Sequence, residues 1–454
     1  MKLQYVVRAG VVLCALACAA EAVAQIRLPP VQLPPVPGPS VPLDVPLAGV
    51  GNSPLDVREL RTVRQLRIRD LLRVNRRVLE SDPAGEPIVR GELLVLAPTD
   101  DMLDRARAQG YAVIRETALE GLGMRVVVLQ APSGRSTVRS LRRLRALDGT
   151  GVHDFNHVYI GSGVNRDVLR TDVAITSGPA IAVGPRVRVG LVDGGIDADH
   201  PVFRGEVVHR SGCAGSLIPS AHGTAVASIL VGSAEPFAGV APGSELFAAD
   251  VYCGAATGGA VDAIAAALAW FARERVAVIN VSLVGPKNAI LESVIGLLLV
   301  RGHIVVAAVG NDGPASAPLY PAAYPGVIGV TAVDANRRVL LEANRGRQVA
   351  FAAPGADMAA ASAPDKYIEV RGTSFAAPIV AGLLALEVSE PDPTAAARAV
   401  QALAGRAVDL GAPGKDDVYG YGLVGTEFRV EPNRVKASRG ATGGRSLQIV
   451  SPQR

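Results

Sequence analysis

The chain has 454 residues, 49% of them apolar by class, a net charge of only +4 and four cysteines. That length can bury a large core and accommodates two domains. The small charge, with no aromatic-flanked basic patch, argues against nucleic acid as a partner.

Residues 1–24 have the pattern of a secretory signal. Lys2 and Arg8 form the charged start, Val11 to Ala20 the apolar stretch, and Ala22-Val23-Ala24 a small-x-small cleavage site before Gln25. The apolar stretch is shorter than the roughly 20 residues a membrane span needs, and no later segment qualifies. The protein is therefore expected to be secreted or periplasmic. Cys14 and Cys18 leave with the signal, so Cys213 and Cys253 remain, in an oxidising compartment. The elements before the His222 segment and after the next strand place these two near one part of the fold, and a disulfide between them is expected.

Residues 25–54 form a proline-rich linker that includes Pro29, Pro30, Pro34 and Pro35. Residues 55–80 carry Val57, Leu60, Val63, Leu66, Leu71, Val74 and Val78 among many arginines, the pattern of an amphipathic helix with a solvated basic face. Residues 90–159 alternate compactly. Strands are predicted at 91–97, 111–118, 124–130 and 152–159, and helices at 100–109 and 137–147. This β-α-β-β-α-β order predicts a small, separate ferredoxin-like α+β domain. Residues 160–185 read as loop.

From residue 187 the period changes. Strands are predicted at 187–193, 246–251, 276–283, 304–309 and 327–333, separated by helices at 222–231, 261–273 and 289–300, with a later helix at 394–404. Such alternation predicts an α/β fold with a doubly wound, mostly parallel sheet, whose functional groups gather at the carboxyl ends of strands. Residues 430–454 read as a disordered tail.

Four polar residues stand at positions suited to chemistry. Asp193 ends the first strand of the large sheet and is followed by Gly194-Gly195. His222 opens a helix, and Asn311 follows a buried strand in Gly310-Asn311-Asp312-Gly313. Ser374 lies in Gly372-Thr373-Ser374-Phe375-Ala376-Ala377-Pro378, ahead of an apolar run that predicts a helix buried on all sides. Each residue alone is equally a turn, cap or core residue. Together they come in the order Asp, His, Asn, Ser, which contains the subtilisin order of the serine triad.

Residues from about 185 to 427 thus resemble a subtilisin-like serine peptidase. The resemblance rests on VDGGID at 192–197, HGTAVA at 222–227, GVAPGSELFAADV at 239–251, INVSL at 279–283, AAVGNDG at 307–313, YPGVIGVTAVD at 324–334 and GTSFAAPIVAG at 372–382. It implies Ser374 as nucleophile, His222 as general base and then acid, Asp193 as the group that holds the imidazole, and Asn311 with the Ser374 backbone N–H as the oxyanion hole. It also implies one substrate wall from Ser282, Leu283, Val284 and Gly285 and another from Ala308 to Asn311, including Gly310. Protein or peptide chains are the implied substrates.

The sequence departs from the family at several points. Gly194 stands where Thr or Ser is usual, which costs Asp193 a hydrogen bond. Ala225 stands where many members have a second His. Val284 replaces a usual Gly, which should narrow the first specificity pocket and favour small side chains before the scissile bond. The loop Gly232–Phe237 lacks the Asn and Asp ligands of the strong calcium site, so that site is expected to be missing and no cofactor is expected; Asp416 and Asp417 read as a solvated turn.

By the same resemblance residues 90–159 look like the family's inhibitory propeptide. The chain after Tyr159 should then lie across Ser374 and be cleaved between Tyr159 and Ala182, with His153 and His157 as surface histidines near the junction. Two rival readings remain. One is an inactive form of the fold used as a binding module, against which the four filled positions speak. The other is an α/β-hydrolase esterase, which needs Gly-x-Ser-x-Gly and the order Ser, Asp, His.

Overall fold

The computed structural model describes residues 57–169, 176–177, 187–216, 218–235, 237–255, 258–364 and 366–436. The signal, the linker and residues 437–454 of the tail lie outside the described residues.

The large sheet has seven strands, in the spatial order Val349–Pro354, Ile328–Val333, Ile304–Ala308, Val278–Val281, Arg188–Asp193, Glu245–Asp250 and Val207–Gly212. Every neighbouring pair is parallel. Parallel strands need crossovers, and helices cover both faces, so the inner strands read as apolar runs while the edge strand Val207–Gly212 is polar and partly exposed. Their side chains still alternate. Ile304, Val306 and Ala308 join the core that holds the helices Ala221–Val231 and Thr373–Ala385. Val305 and Ala307 join the core under the helices Val261–Arg273 and Ala289–Val300. The chain fills one side of Arg188–Asp193 first and then the other. Asp193 therefore ends the strand at which the order reverses, where open α/β sheets place their ligands.

The smaller sheet is antiparallel. Four of its seven strands run in the order Val152–Gly161, Pro87–Leu96, Met124–Gln130, Ala112–Leu119, and Leu79–Ser81, Gly259–Ala260 and Leu283–Val284 add to them. Alternate residues again face two ways. Leu93, Val95, Val127 and Leu129 pack on this segment's own helices, Asp100–Ala108 and Thr137–Leu147. Leu94, Leu96, Val126 and Val128 belong to the cluster of the large sheet's outer helices. The expected separate domain thus shares a core with the large sheet.

Three expectations need correction. Residues 160–185 are not all loop: the strand Val152–Gly161 runs two residues further than expected, and Gly163–Leu169 pairs with Lys366–Gly372. That pairing comes from the partner strand, since Gly163, Asn165 and Asp167 give little local strand signal. The strands Val349–Pro354 and Met358–Ser362 were hidden by alanine, which carries no β signal of its own. The basic helix is Val57–Val74, and Leu66, Val74 and Val78 are exposed while Ile68 is buried. Its arginines are not all solvated: Arg64 is largely covered and forks onto Glu86 at 2.6 and 2.7 Å.

Candidate active site

Asp193 is fully buried at its strand end. Its Oδ1 accepts the Gly194 N–H at 2.7 Å and lies 2.8 Å from His222 Nδ1. His222 is held by the first turn of Ala221–Val231, where the Ser220 hydroxyl accepts the Gly223 N–H at 2.9 Å as an N-cap. Gly223 is required there, because a Cβ would sit 2.3 Å from the Gly194 carbonyl oxygen. The Thr or Ser usual at position 194 has no room either: a Cβ would meet Ser220 Oγ at 2.6 Å and the Tyr252 ring at 3.2 Å. Burial, with the Asp193 charge also acting, pushes the Tyr252 phenol far above its ordinary value and the Asp250 carboxyl above its own. The surroundings of Asp193 are thus dry, which strengthens its attraction for a charged imidazole.

Ser374 is the second residue of Thr373–Ala385, after Gly372 at φ +138°, a conformation that favours glycine. Its Oγ donates to the Ser282 carbonyl at 3.1 Å, while Ser282 Oγ donates back to the Ser374 carbonyl at 3.0 Å. Asn280 Nδ2 holds Ser282 Oγ at 2.8 Å. Asn311 is fixed through its Oδ1, which accepts the Thr373 N–H at 3.2 Å and leaves Nδ2 to point elsewhere. Nδ2 lies 2.8 Å from the point a Gly372 Cβ would occupy, and so does the Ser162 carbonyl oxygen. Asn344, which sequence reasoning missed, supports this loop: its Oδ1 accepts the Asp312 N–H at 2.8 Å and its own N–H donates to the Gly310 carbonyl at 3.0 Å.

The chain's own residues 158–164 occupy the cleft. Tyr159 and Val158 pair with Gly259 and Ala260 on one side. Gly161 and Ile160 pair with Leu283 and Val284 on the other. Ser162 then meets Ser374: its N–H donates to Ser374 Oγ at 3.1 Å and the two hydroxyls lie 2.7 Å apart. Gly163 and Val164 continue along Gly372 and Arg371.

The sequence-predicted residues divide accordingly. Ser374 touches Ser162 directly, Asn311 and the Ser162 carbonyl both flank Gly372, Ser282 holds Ser374, and Asp193 reaches the site only through His222, while Leu283 and Val284 pair with the incoming strand. Gly285 faces the Tyr159 ring, 2.8 Å from where its Cβ would be. Ala308 is buried at its strand end, and Gly310 donates its N–H to Thr373 Oγ1 at 3.2 Å, so these two support the site from behind. Cys213 and Cys253 are joined by a disulfide with Cα atoms 5.0 Å apart.

His153 and His157 are buried, not on the surface. Burial lowers the His153 pKa although Asp148 stands 3.3 Å away. His157 lies 3.3 Å from Asp82 and 2.9 Å from Asn288 Nδ2. Asn288 and its neighbour Ala289 begin the helix Ala289–Val300, and the Ala289 N–H donates to Asp154 at 2.7 Å. The Asp262 N–H likewise donates to Asn156 at 3.3 Å. The smaller sheet thus satisfies the open N-termini of both outer helices.

Among the described residues the one cluster of three potential metal ligands is Cys213, Asp250 and Cys253, and its sulfurs are bonded to each other. It does not fit calcium, which takes six to eight oxygens. Asp416 accepts the Ala412, Val418 and Tyr419 N–H groups, as a turn aspartate does. No helix among the described residues is long and apolar enough to cross a membrane.

Residues 184–422 match the family model described as the subtilase family, Peptidase S8. Subtilisin DY of Bacillus licheniformis is 32% identical over 252 residues, 54% of this chain and 90% of that protein. Subtilisin BL of Lederbergia lenta is 34% identical over 249 residues, with the same two coverages, 54% and 90%. Among solved structures, fervidolysin of Fervidobacterium pennivorans, a keratinolytic enzyme related to subtilisin, aligns with a TM-score of 0.60 at 20% identity. That alignment covers 79% of this chain and 62% of fervidolysin, and at such identity it speaks for the fold alone.

Proposed function

The chain belongs to the subtilase family of serine peptidases, and from that premise we propose that it is a secreted endopeptidase made as a zymogen, with Asp193, His222 and Ser374 as its triad. The observation that carries this reading is the 2.8 Å contact between His222 Nδ1 and Asp193, beside a nucleophile that already touches a peptide segment at Ser162. Ser374 exchanges its bond to the Ser282 carbonyl for one to His222, which takes its proton as Oγ adds to the carbonyl carbon. The oxyanion is stabilised by Asn311 Nδ2 and the Ser374 N–H. The C–N bond then breaks, and the leaving nitrogen takes the proton from His222. Water, deprotonated by His222, hydrolyses the ester and restores Ser374.

Residues 90–159 act as the inhibitory segment. They cap two helices of the peptidase and deliver their last strand into its cleft. Release needs cleavage of the tethered segment, favoured by its high effective concentration. The basic start, apolar stretch and Ala22-Val23-Ala24 site of residues 1–24 support export.

The test is expression of Ser374→Ala beside wild type in a protease-deficient host. The variant should keep residues 90–159 attached and fail to react with a fluorophosphonate probe; wild type should lose them and label. Equal processing of both would reject self-cleavage. An unlabelled, inactive wild type would favour a binding module instead.

A further inference from the structure

The cleft segment reads Gly161-Ser162-Gly163, and both glycines lie where a side chain meets a ring. A Cβ on Gly163 would stand 2.6 Å from Phe375 Cε2, 3.1 Å from Cζ and 3.4 Å from His222 Nε2. Contacts below 3.0 Å force something to move, and Phe375 is fully buried in the core beside the nucleophile, so it has little room to yield. A Cβ on Gly161 would stand 3.4 to 3.6 Å from three atoms of the His222 imidazole. That is ordinary van der Waals contact, so alanine fits at this position and the imidazole sets no demand for glycine there. The register is fixed upstream. Tyr159 is fully buried, its ring lies against Gly285, and its hydroxyl bonds the Pro286 carbonyl. The strand is therefore not free to slide past Ser374.

We propose that Phe375 restricts this cleft to chains with glycine directly after the residue that supplies the scissile carbonyl, so that the enzyme cuts just before a glycine. Its first such substrate is its own Ser162–Gly163 bond. This rests on the reading of residues 159–163 as a bound substrate-like segment. Ser374 Oγ adds to the Ser162 carbonyl carbon, the bond to the Gly163 nitrogen breaks, and that nitrogen departs as the protonated amine. Water then releases the Ser162 carboxylate. The restriction to glycine is a matter of shape: Phe375 occupies the volume a Cβ needs. It makes Phe375 a specificity-determining residue without a part in proton transfer.

The test uses the mature enzyme and quenched fluorescent peptides carrying Val-Tyr-Ile-Gly-Ser-Gly-Val, with alanine or leucine in place of either glycine. Replacing the second glycine should lower kcat/KM by at least about tenfold for alanine and about a hundredfold for leucine. Replacing the first glycine with alanine should change kcat/KM by no more than about twofold. In Phe375→Ala the preference for glycine over alanine after the scissile bond should collapse, whatever the overall rate, which a merely structural role would not produce. If that variant does not fold, Gly163→Leu in the full-length chain serves instead: mass spectrometry should find processing at Ser162 slowed or moved. Leucine accepted after the bond as readily as glycine, a selectivity ratio unchanged by Phe375→Ala, or unaltered processing of the Gly163→Leu chain overturns the proposal. Fluorophosphonate labelling separates the two readings. An enzyme that labels but is indifferent to glycine after the bond refutes the specificity alone; one that neither labels nor cuts any of the peptides refutes the peptidase reading as well.

Discussion

Arg64 Nε lies 3.1 Å from Asp312 Oδ2, one residue past Asn311 in the sequence. The same guanidinium binds Glu86, so one side chain ties the basic helix, the smaller sheet and the Asn311 loop together. Burial alone would weaken its charge, but Glu86 and Asp312 outweigh that and hold its pKa above the ordinary value.

Removing this clasp should free the helix first. In a Ser374→Ala background, Arg64→Ala discards hydrogen bonds to charged partners, worth about 1.5–3 kcal/mol in all. Opening of residues 57–74 should rise by roughly ten- to a hundredfold. Limited trypsinolysis followed by mass spectrometry reads the rate of cutting in that segment. An unchanged rate would show that the helix is held by other contacts.

Asn311→Leu should lower kcat by about 10²–10³-fold with little change in KM, the scale known for loss of the oxyanion-hole amide in subtilisin itself. Steady-state kinetics on a peptide substrate decides it, and a kcat within about twofold of wild type would remove Asn311 from the chemistry.

The disulfide closes a loop with a sequence separation of 40. In the chain-entropy model such a closure is worth about 3–4 kcal/mol. The Cys213→Ala/Cys253→Ala double variant in the Ser374→Ala background should lose about that much in urea unfolding, and reductant should then have no further effect. A loss below about 1 kcal/mol would mean that the bridge adds little beyond the packing around it.

Mild acid should loosen the smaller sheet. His153 has a pKa lowered by burial from the ordinary 6.5, so its neutral form is the one the fold accommodates. Its contribution to stability is present above about 6.5 and is lost as pH falls through the lower folded value. Asp148 attracts the charged form and Arg145 repels it, and burial prevails. Thermal unfolding of Ser374→Ala should show a transition that falls between pH 7 and 5. His153→Gln should flatten that dependence; an equal slope in both proteins would assign it to other groups.

The order Asp193, His222, Asn311, Ser374 and the element each residue sits on were legible in the chain. Asp193 at a strand end, His222 and Ser374 at helix starts and Asn311 after a buried strand are local placements, each set by a few neighbouring residues through strand pattern and cap chemistry. The parallel sheet was legible for the same reason: Val189 to Val192 and Ile304 to Ala308 are apolar on both faces, which only a covered sheet requires. The Cys213–Cys253 pairing could be expected because Cys14 and Cys18 fall in the stretch read as a signal, leaving two thiols to pair.

Tertiary structure decided what depends on distant partners. The resemblance places the chain after Tyr159 across Ser374 without saying which residue meets it; Leu283, Val284, Arg371 and Gly372 set Ser162 there by pairing with the chain on either side of it. Gly194 reads in the chain as a lost hydrogen bond, whereas the fold shows Ser220 and Tyr252 filling the space. His153, His157 and Arg64 look like surface residues in a polar stretch, and they are covered because another element packs over them. Local periodicity and capping act over a few residues and so are written in the sequence. Strand pairing, steric exclusion and burial act between residues distant in the chain, from the 22 positions between Arg64 and Glu86 to the 212 between Ser162 and Ser374, and these only the folded chain brings together.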